Sequence, residues 1–217
     1  MIEDAAQAFM SKYKKKYLGT WGNIGCFSFS PPKLITTGQG GIVVTNDSKI
    51  NQRLRRLKDQ GRDEFTTGGD DIHHSIGYNF KFTNVQAAIG LAQVFKIKKR
   101  IYRLKRNYFL YRNFLKDLKQ VKILDFNIKD GEIPLWTDMI CLNRDKHVKF
   151  LRKKGVDTRK FYQPLHTQKP FKNYKGNFKI ISSLSKKLVW LPSAFTLNDK
   201  QVIKVCNLIK KFYILEK

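Results

Sequence analysis

GNIGCFSFSPPKLITTGQGGIVVTN, residues 22 to 46, is the stretch on which the fold reading turns. Between positions 17 and 46 the only charged residue is Lys33, although a chain that is 28% charged would place about eight in such a window. Within it, GCFSF (25–29) and GGIVVTN (40–46) are β-branched or aromatic runs bounded by Gly, Pro and Thr, the pattern of short buried strands. Lys33 falls in the connection between them. Asp47 and Ser48 then offer caps to a helix with apolar residues at Ile50, Leu54 and Leu57, ended by Gly61. A strand followed by a helix points to α/β architecture.

Further out, residues 62 to 77 are polar and aperiodic and read as an exposed loop; the adjacent His73 and His74 in it receive no role. A helical stretch begins near Asn84 and continues past Leu118. Its apolar residues from Val94 onward (Ile97, Ile101, Leu104, Tyr108, Tyr111, Leu115) are spaced by three and four, which predicts one long amphipathic helix. The opposite face is basic, with Lys98, Lys99, Arg103, Lys105, Arg106 and Arg112, and reads either as a solvated helix between domains or as a polyanion-binding stripe. LWTDMICL (135–142) and LVWLP (188–192) read as strands. HVKFLRKK, closed by Gly155, reads as a helix, and a last helix starts at the capping-box pattern of Thr196 and Asp199. A composition shift near residue 90 divides the chain into domains 1–90 and 91–217.

The 217 residues are 41% hydrophobic, which suits a globular chain, and carry a formal charge of +26. Residues 1 to 90 contribute +4 and residues 91 to 217 contribute +22. A basic module gripping a polyanion is therefore one reading, but 32 of the 43 bases are Lys, which lacks the planar fork of dedicated phosphate readers, and nucleic acid is the weaker option. Cys26, Cys141 and Cys206 lack metal or disulfide spacing and fit a reducing cytoplasm. No apolar run is long enough for a membrane span, and the acidic start is read as an expectation against a signal peptide.

A lone Lys among small and apolar residues is either the exposed tip of a turn or an amine whose charged form is disfavoured by desolvation. In the second case its neutral form can attack a carbonyl to make a Schiff base. Ser28 stands five residues before Lys33, and Gly38, Gly40 and Gly41 permit close backbone approach, so a phosphate could be received nearby. Phosphate and Schiff-base chemistry together suggest pyridoxal phosphate.

IEDAAQA (2–8), the stretch 22–46, GYNFKFTNVQAAIGLAQ (77–93) and GVDTRKFYQPLHTQKPF (155–171) resemble, in that order, blocks of the DegT/DnrJ/EryC1/StrS family of sugar aminotransferases. The resemblance implies the C-terminal part of an aspartate-aminotransferase-like α/β fold: a partial large-domain sheet, a long linking helix and a small α+β domain. It implies pyridoxal phosphate as cofactor, and amino transfer from glutamate to a nucleotide-linked keto-sugar. The last block is similar to that of perosamine-synthetase-like members, which act on GDP-4-keto-6-deoxymannose.

Carried over by residue, Lys33 is the cofactor-binding lysine and proton carrier, Asp4 faces the pyridine nitrogen, and Gln7 lies by the ring oxygen. Ser28 bonds the phosphate, and Asn79 reaches a neighbouring subunit's phosphate, which implies a homodimer. Arg159 and His166 fall in the substrate region. Two positions depart from the family pattern: Lys81 stands where Arg is frequent and Gln39 where Glu is commoner. Relatives carry a long segment before the EDAAQ block, so the expectation is a split, truncated or decayed aminotransferase that is poorly soluble alone or depends on a complementary N-terminal chain. A non-catalytic partner subunit that lends Asn79 to an intact enzyme is the third reading, beside the polyanion-binding module.

Overall fold

A computed structural model describes residues 1–63, 72–171, 173–174 and 176–215. The chain divides into two compact units, Met1–Lys99 with Lys129–Ile133, and Arg100–Ile128 with Pro134–Lys217. The composition shift near residue 90 falls inside a helix of the first unit rather than at this division.

The first unit is built on β1 (Ile2–Asp4), β4 (Ile24–Ser28) and β5 (Gly41–Val44), in the order β1-β4-β5, with a small hairpin of β2 (Lys12–Tyr13) and β3 (Lys16–Tyr17). β1 and β4 are parallel, with Asp4 opposite Cys26, whereas β5 returns antiparallel with Gly41 opposite Ser28. Gly41 is required there, because a Cβ would lie 2.4 Å from the Phe27 carbonyl oxygen. Phe9 packs edge-on against Phe27 and Phe29, with centroids 5.4 and 5.8 Å apart. The buried strand expected at 40–46 is corrected: Ile42 and Val43 of β5, which point to opposite faces of the sheet, are 44% and 47% exposed, so neither face is covered by the described residues at this edge strand.

α1 (Ser48–Lys58) is capped as its sequence indicates, the Asp47 carboxylate accepting from the amides of Lys49 and Ile50 at 2.8 and 3.0 Å. α2 (Asn84–Val94) begins with a capping box between Thr83 and Gln86. The single long helix expected from residue 84 onward is two, because the ladder is interrupted after Val94, where the Lys96 amide donates to the Gln93 carbonyl three residues back. α3 (Ile97–Leu115) then follows and, as the apolar spacing predicts, buries Leu104, Tyr108, Tyr111 and Leu115.

The second unit has an antiparallel sheet in the order β6-β7-β9-β8, from β6 (Val121–Ile123), β7 (Thr137–Cys141), β8 (Arg159–Lys160) and β9 (Leu188–Leu191). α4 (Arg144–Lys153), the short α5 (Lys179–Leu184) and α6 (Asp199–Leu215) complete it. Its core joins Tyr111 and Leu115 to Met139, Val189 and Leu151, together with Ile209 of α6. α6 is capped by reciprocal bonds of 2.9 Å between Asn198 and Gln201, two positions beyond the capping pattern expected from Thr196 and Asp199. Asp199 in its first turn instead pairs with Arg103 and Arg106 at 2.6 and 2.8 Å.

Candidate functional site

Because β1 and β4 are parallel, Asp4 and Ser28 both stand at the carboxyl ends of their strands, the edge at which open α/β sheets bind ligands. Strand pairing also fixes the faces. Asp4, Cys26 and Ser28 share one side of the sheet, and Glu3, Gly25 and Phe27 the other. Lys33 lies in the loop that leaves this edge after β4, half-buried, followed by the buried Leu34 and Ile35. Desolvation lowers the pKa of its amine, and the negative charge of Asp4 pulls it back up. Lys33 thus sits in a turn, as the first reading has it, and is also partly desolvated, as the second has it, with the charge of Asp4 opposing that desolvation.

The loop is held by its own polar groups. The Lys33 amide donates to the Ser30 carbonyl at 3.1 Å, and the Ser28 hydroxyl to the Ser30 hydroxyl at the same distance. Thr36 and Thr37 bond back to the Phe29 carbonyl, the former by its hydroxyl at 2.9 Å and the latter by its amide at 3.0 Å. α2 lies against the far side of the loop. The Gln93 side-chain amide accepts from the Thr36 N–H at 3.2 Å and donates to the Thr36 carbonyl at 2.6 Å, and Gln86 Nε2 donates to the Gln39 carbonyl at 3.1 Å. Gly90 permits this approach, because a Cβ there would meet the Thr37 methyl at 3.0 Å.

β1 is tied on its other face by Glu3, whose carboxylate accepts from the amides of Gly19, Trp21 and Gly22 at 2.8, 2.5 and 2.6 Å. Those donors, Gly22 first, lower its pKa. The Asp4 carboxylate accepts from the Ala6 amide at 3.1 Å. Glu3, Gln86 and Gln93 were not singled out in the sequence. Glu3 adjoins Asp4 but carries no spacing signal, and Gln93 reaches a partner 57 positions away.

The other expected site residues are placed as follows. Gln7 is exposed in the turn after β1. Asn79 is exposed and forms an isolated bridge with Asp59, while Lys81 pairs with the Asp59 carboxylate at 2.9 Å. Arg159 and His166 belong to the second unit. The Arg159 guanidinium lies over the rings of Tyr162 and Trp190, at 4.9 and 5.2 Å. His166 stacks on Phe178 at 4.3 Å and shares a hydrogen bond of 3.0 Å between Nε2 and Ser182 Oγ. Several bases of the α3 stripe are engaged within their own unit: Arg103 and Arg106 with Asp199, Arg112 with Asp125, and Arg100 over the Phe195 ring. Among the described residues no group of His, Cys, Asp and Glu could hold a metal, and no helix is long and apolar enough to cross a membrane.

The profile of the DegT/DnrJ/EryC1/StrS aminotransferase family matches residues 1–210. The chain is 37% identical to a GDP-perosamine synthase of Escherichia coli O157:H7 over 98% of its own length and 58% of that protein's. It is 34% identical to a GDP-perosamine synthase of Vibrio cholerae, over 98% of its own length and 59% of that relative's. A DegT DnrJ EryC1 StrS aminotransferase structure from Brucella abortus superposes with a TM-score of 0.87 at 27% identity, covering 97% of this chain and 56% of that one. The chain thus spans little more than half the length of the curated relatives it matches.

Proposed function

The chain belongs to the DegT/DnrJ/EryC1/StrS aminotransferase family, and from that premise we propose that it carries the lysine-bearing part of a pyridoxal-phosphate site. The reaction is amino transfer from glutamate to a nucleotide-linked keto-sugar, with GDP-4-keto-6-deoxymannose as the substrate suggested by its similarity to GDP-perosamine synthases. The observation that carries the reading is a partly desolvated Lys33 amine that feels the charge of the Asp4 carboxylate, with Asp4 at the carboxyl edge of a parallel strand pair. A primary amine, a carboxylate and the Ser28 hydroxyl form a donor set suited to an aldehyde-bearing pyridine phosphate.

When bound, pyridoxal phosphate supplies an electrophilic aldehyde carbon and a ring that accepts electrons from the carbon bearing the amino group. Lys33 Nζ, its pKa lowered by desolvation, gives up its proton more readily than a surface lysine and serves first as nucleophile and later as proton carrier. Asp4 favours a proton on any basic nitrogen that faces its carboxylate. Ser28 offers a hydroxyl to a phosphate at the strand end. Gln7 borders the same strand, and Asn79, exposed on its loop, is assigned to the phosphate of a neighbouring subunit, so the working form is a homodimer or includes a complementary N-terminal chain. Arg159 and His166 are assigned to the sugar nucleotide.

The test is incubation with pyridoxal phosphate, borohydride reduction and peptide mapping, with and without a separately supplied N-terminal segment. The pyridoxyl group is expected on Lys33, absent in Lys33→Ala and reduced in Asp4→Asn. Labelling spread over the surface lysines, with no preference for Lys33 in either condition, overturns the proposal.

A further inference from the structure

We propose that Gln93 is a positioning residue for Lys33, its side-chain amide clamping the backbone of the lysine-bearing loop at Thr36. This rests on the reading of Lys33 as the cofactor-binding lysine but concerns a residue to which that reading gives no part. The loop from Ser30 to Gly40 leaves β4 and returns into β5, so its two ends are fixed by strand pairing. Its middle is held within the loop by the bonds of Lys33, Thr36 and Thr37 and by the buried Leu34 and Ile35, and from outside the loop by α2. Gln93 completes the fixation in the way a neighbouring strand would: one amide face offers an acceptor to the Thr36 N–H and a donor to the Thr36 carbonyl, at 3.2 and 2.6 Å. A second contact supports it from the same helix. Gln86, already the capping-box residue of α2, places its Nε2 on the Gln39 carbonyl at 3.1 Å. The two glutamines are seven positions apart, two helical turns, and Gly90 between them lets the helix backbone come down onto Thr37. α2 therefore faces the loop with a row of amide contacts and one glycine gap, an arrangement that fixes main chain rather than binding side chains.

The consequence is chemical. With the backbone held, Lys33 moves its Nζ by side-chain rotation alone, and the amine stays within the influence of Asp4. Without the clamp, the loop samples backbone positions that displace Nζ from the reacting geometry, and a reaction that needs one geometry slows accordingly.

The variants Gln93→Ala and Gln93→Glu separate this from a general packing defect. Ala removes both bonds. Glu keeps the shape but, while ionised, cannot donate to the Thr36 carbonyl; once protonated, its carboxyl group again presents one acceptor and one donor. Two measurements on the full chain are needed. The first is amide hydrogen exchange at Thr36 without any cofactor. The second is the rate of borohydride-trapped pyridoxal phosphate capture at Lys33, taken as the ratio to wild type between about pH 8 and about pH 4.3, where a glutamate carboxyl is half protonated.

Gln93→Ala is expected to raise Thr36 exchange and to slow capture about tenfold at every pH, as the loss of a bonded pair of this kind implies. Gln93→Glu is expected to match Ala at the alkaline end and to recover towards wild type as the pH falls, a profile that loss of packing alone does not produce. Unchanged Thr36 exchange in Gln93→Ala, or a Gln93→Glu capture ratio that does not vary with pH, overturns the clamp. Should wild type capture no cofactor at Lys33, the proposed function fails while the exchange measurement still decides whether Gln93 fixes the loop.

Discussion

His147 ties the stability of the second unit to pH. Its imidazole is fully buried beneath the rings of Phe212 and Tyr213, at 5.1 and 5.5 Å, and neither ring nitrogen has a hydrogen-bond partner among the described residues. Burial lowers its pKa from 6.5 to about 4. The unfolded chain therefore takes up a proton that the folded one refuses. The corresponding stability is complete above about pH 6.5 and is lost as the pH falls towards about 4, by about 3 kcal/mol in all. Asp138, in the same unit, acts in the opposite sense. Burial on β7 raises its pKa from 3.8 to about 6, against a hydrogen bond from Trp190 that lowers it. The folded state then holds a proton that the unfolded chain has released. This contribution is complete below about pH 3.8 and is lost as the pH rises through about 6, and because the carboxyl is only partly buried it is worth roughly 2 kcal/mol. Over one acid window the two nearly cancel. Urea unfolding between about pH 7 and pH 4, followed by tryptophan fluorescence, should thus give wild type a shallow loss of about 1 kcal/mol. His147→Phe should become more stable on acidification by roughly 2 kcal/mol, and Asp138→Asn should lose the full ~3 kcal/mol. A His147→Phe profile parallel to that of wild type refutes the argument, since it would mean that the imidazole titrates alike in both states.

The remaining predictions concern each unit separately. Burial pushes the thiols of Cys141 and Cys206 up to about 11 and about 12, so iodoacetamide at neutral pH should label Cys26 first and reach the other two only on unfolding, as peptide mapping would show. Gly25→Ala would place a Cβ 1.8 Å from the Gly19 carbonyl oxygen, an overlap that no rotamer change relieves; a loss of about 3 kcal/mol or more is expected in urea unfolding. Glu3→Gln should speed hydrogen exchange at Gly19, Trp21 and Gly22 in an otherwise folded chain, and unchanged rates would show that the three amides are protected by something else.

Where the sequence speaks through local chemistry, it was legible. Asp47 caps α1, Gly155 follows α4, and the spacing of Leu104, Tyr108, Tyr111 and Leu115 appears as the buried stripe of α3. Family membership agrees with the ordered blocks quoted from the chain. The misreadings are tertiary in origin. Nothing local marks the break after Val94: there is no Gly or Pro, and Phe95 there is 81% exposed, so the apolar spacing simply runs through a turn. The capping box of α6 lies two residues beyond the Thr196 and Asp199 pattern, which fits equally well in sequence; the reciprocal Asn198–Gln201 bonds and the engagement of Asp199 by Arg103 and Arg106 distinguish the two registers. The run from Gly41 to Val44 is apolar on both faces, as in a strand covered on both sides, yet Ile42 and Val43 stay substantially exposed.

The same division runs through the site. Lys33 stands out because a charge is conspicuous in a neutral stretch, Ser28 because its hydroxyl lies five positions before it, and Asp4 only through the resemblance of its block to the family; the parallel pairing of β1 and β4 sets Asp4 and Ser28 at one strand edge. The residues that hold this edge in place leave no such trace. Glu3 spends its carboxylate on backbone amides of the 19–22 turn, and Gln93 spends its amide on the backbone of Thr36. A side chain that bonds to main chain requires no particular residue type in its partner, so neither spacing nor composition reports it. Such contacts have one property that can be tested without knowing the substrate. They constrain position rather than reactivity, so their loss should alter how often Lys33 is correctly placed while leaving the intrinsic basicity of its amine set by burial and Asp4. The pH at which Lys33 becomes reactive should therefore be the same in Gln93→Ala as in wild type, with only the plateau rate lowered, whereas Asp4→Asn should move that pH downward because the carboxylate no longer offsets desolvation. If Gln93→Ala shifted the pH instead of the plateau, the loop would be controlling the electrostatics of the amine and not its placement.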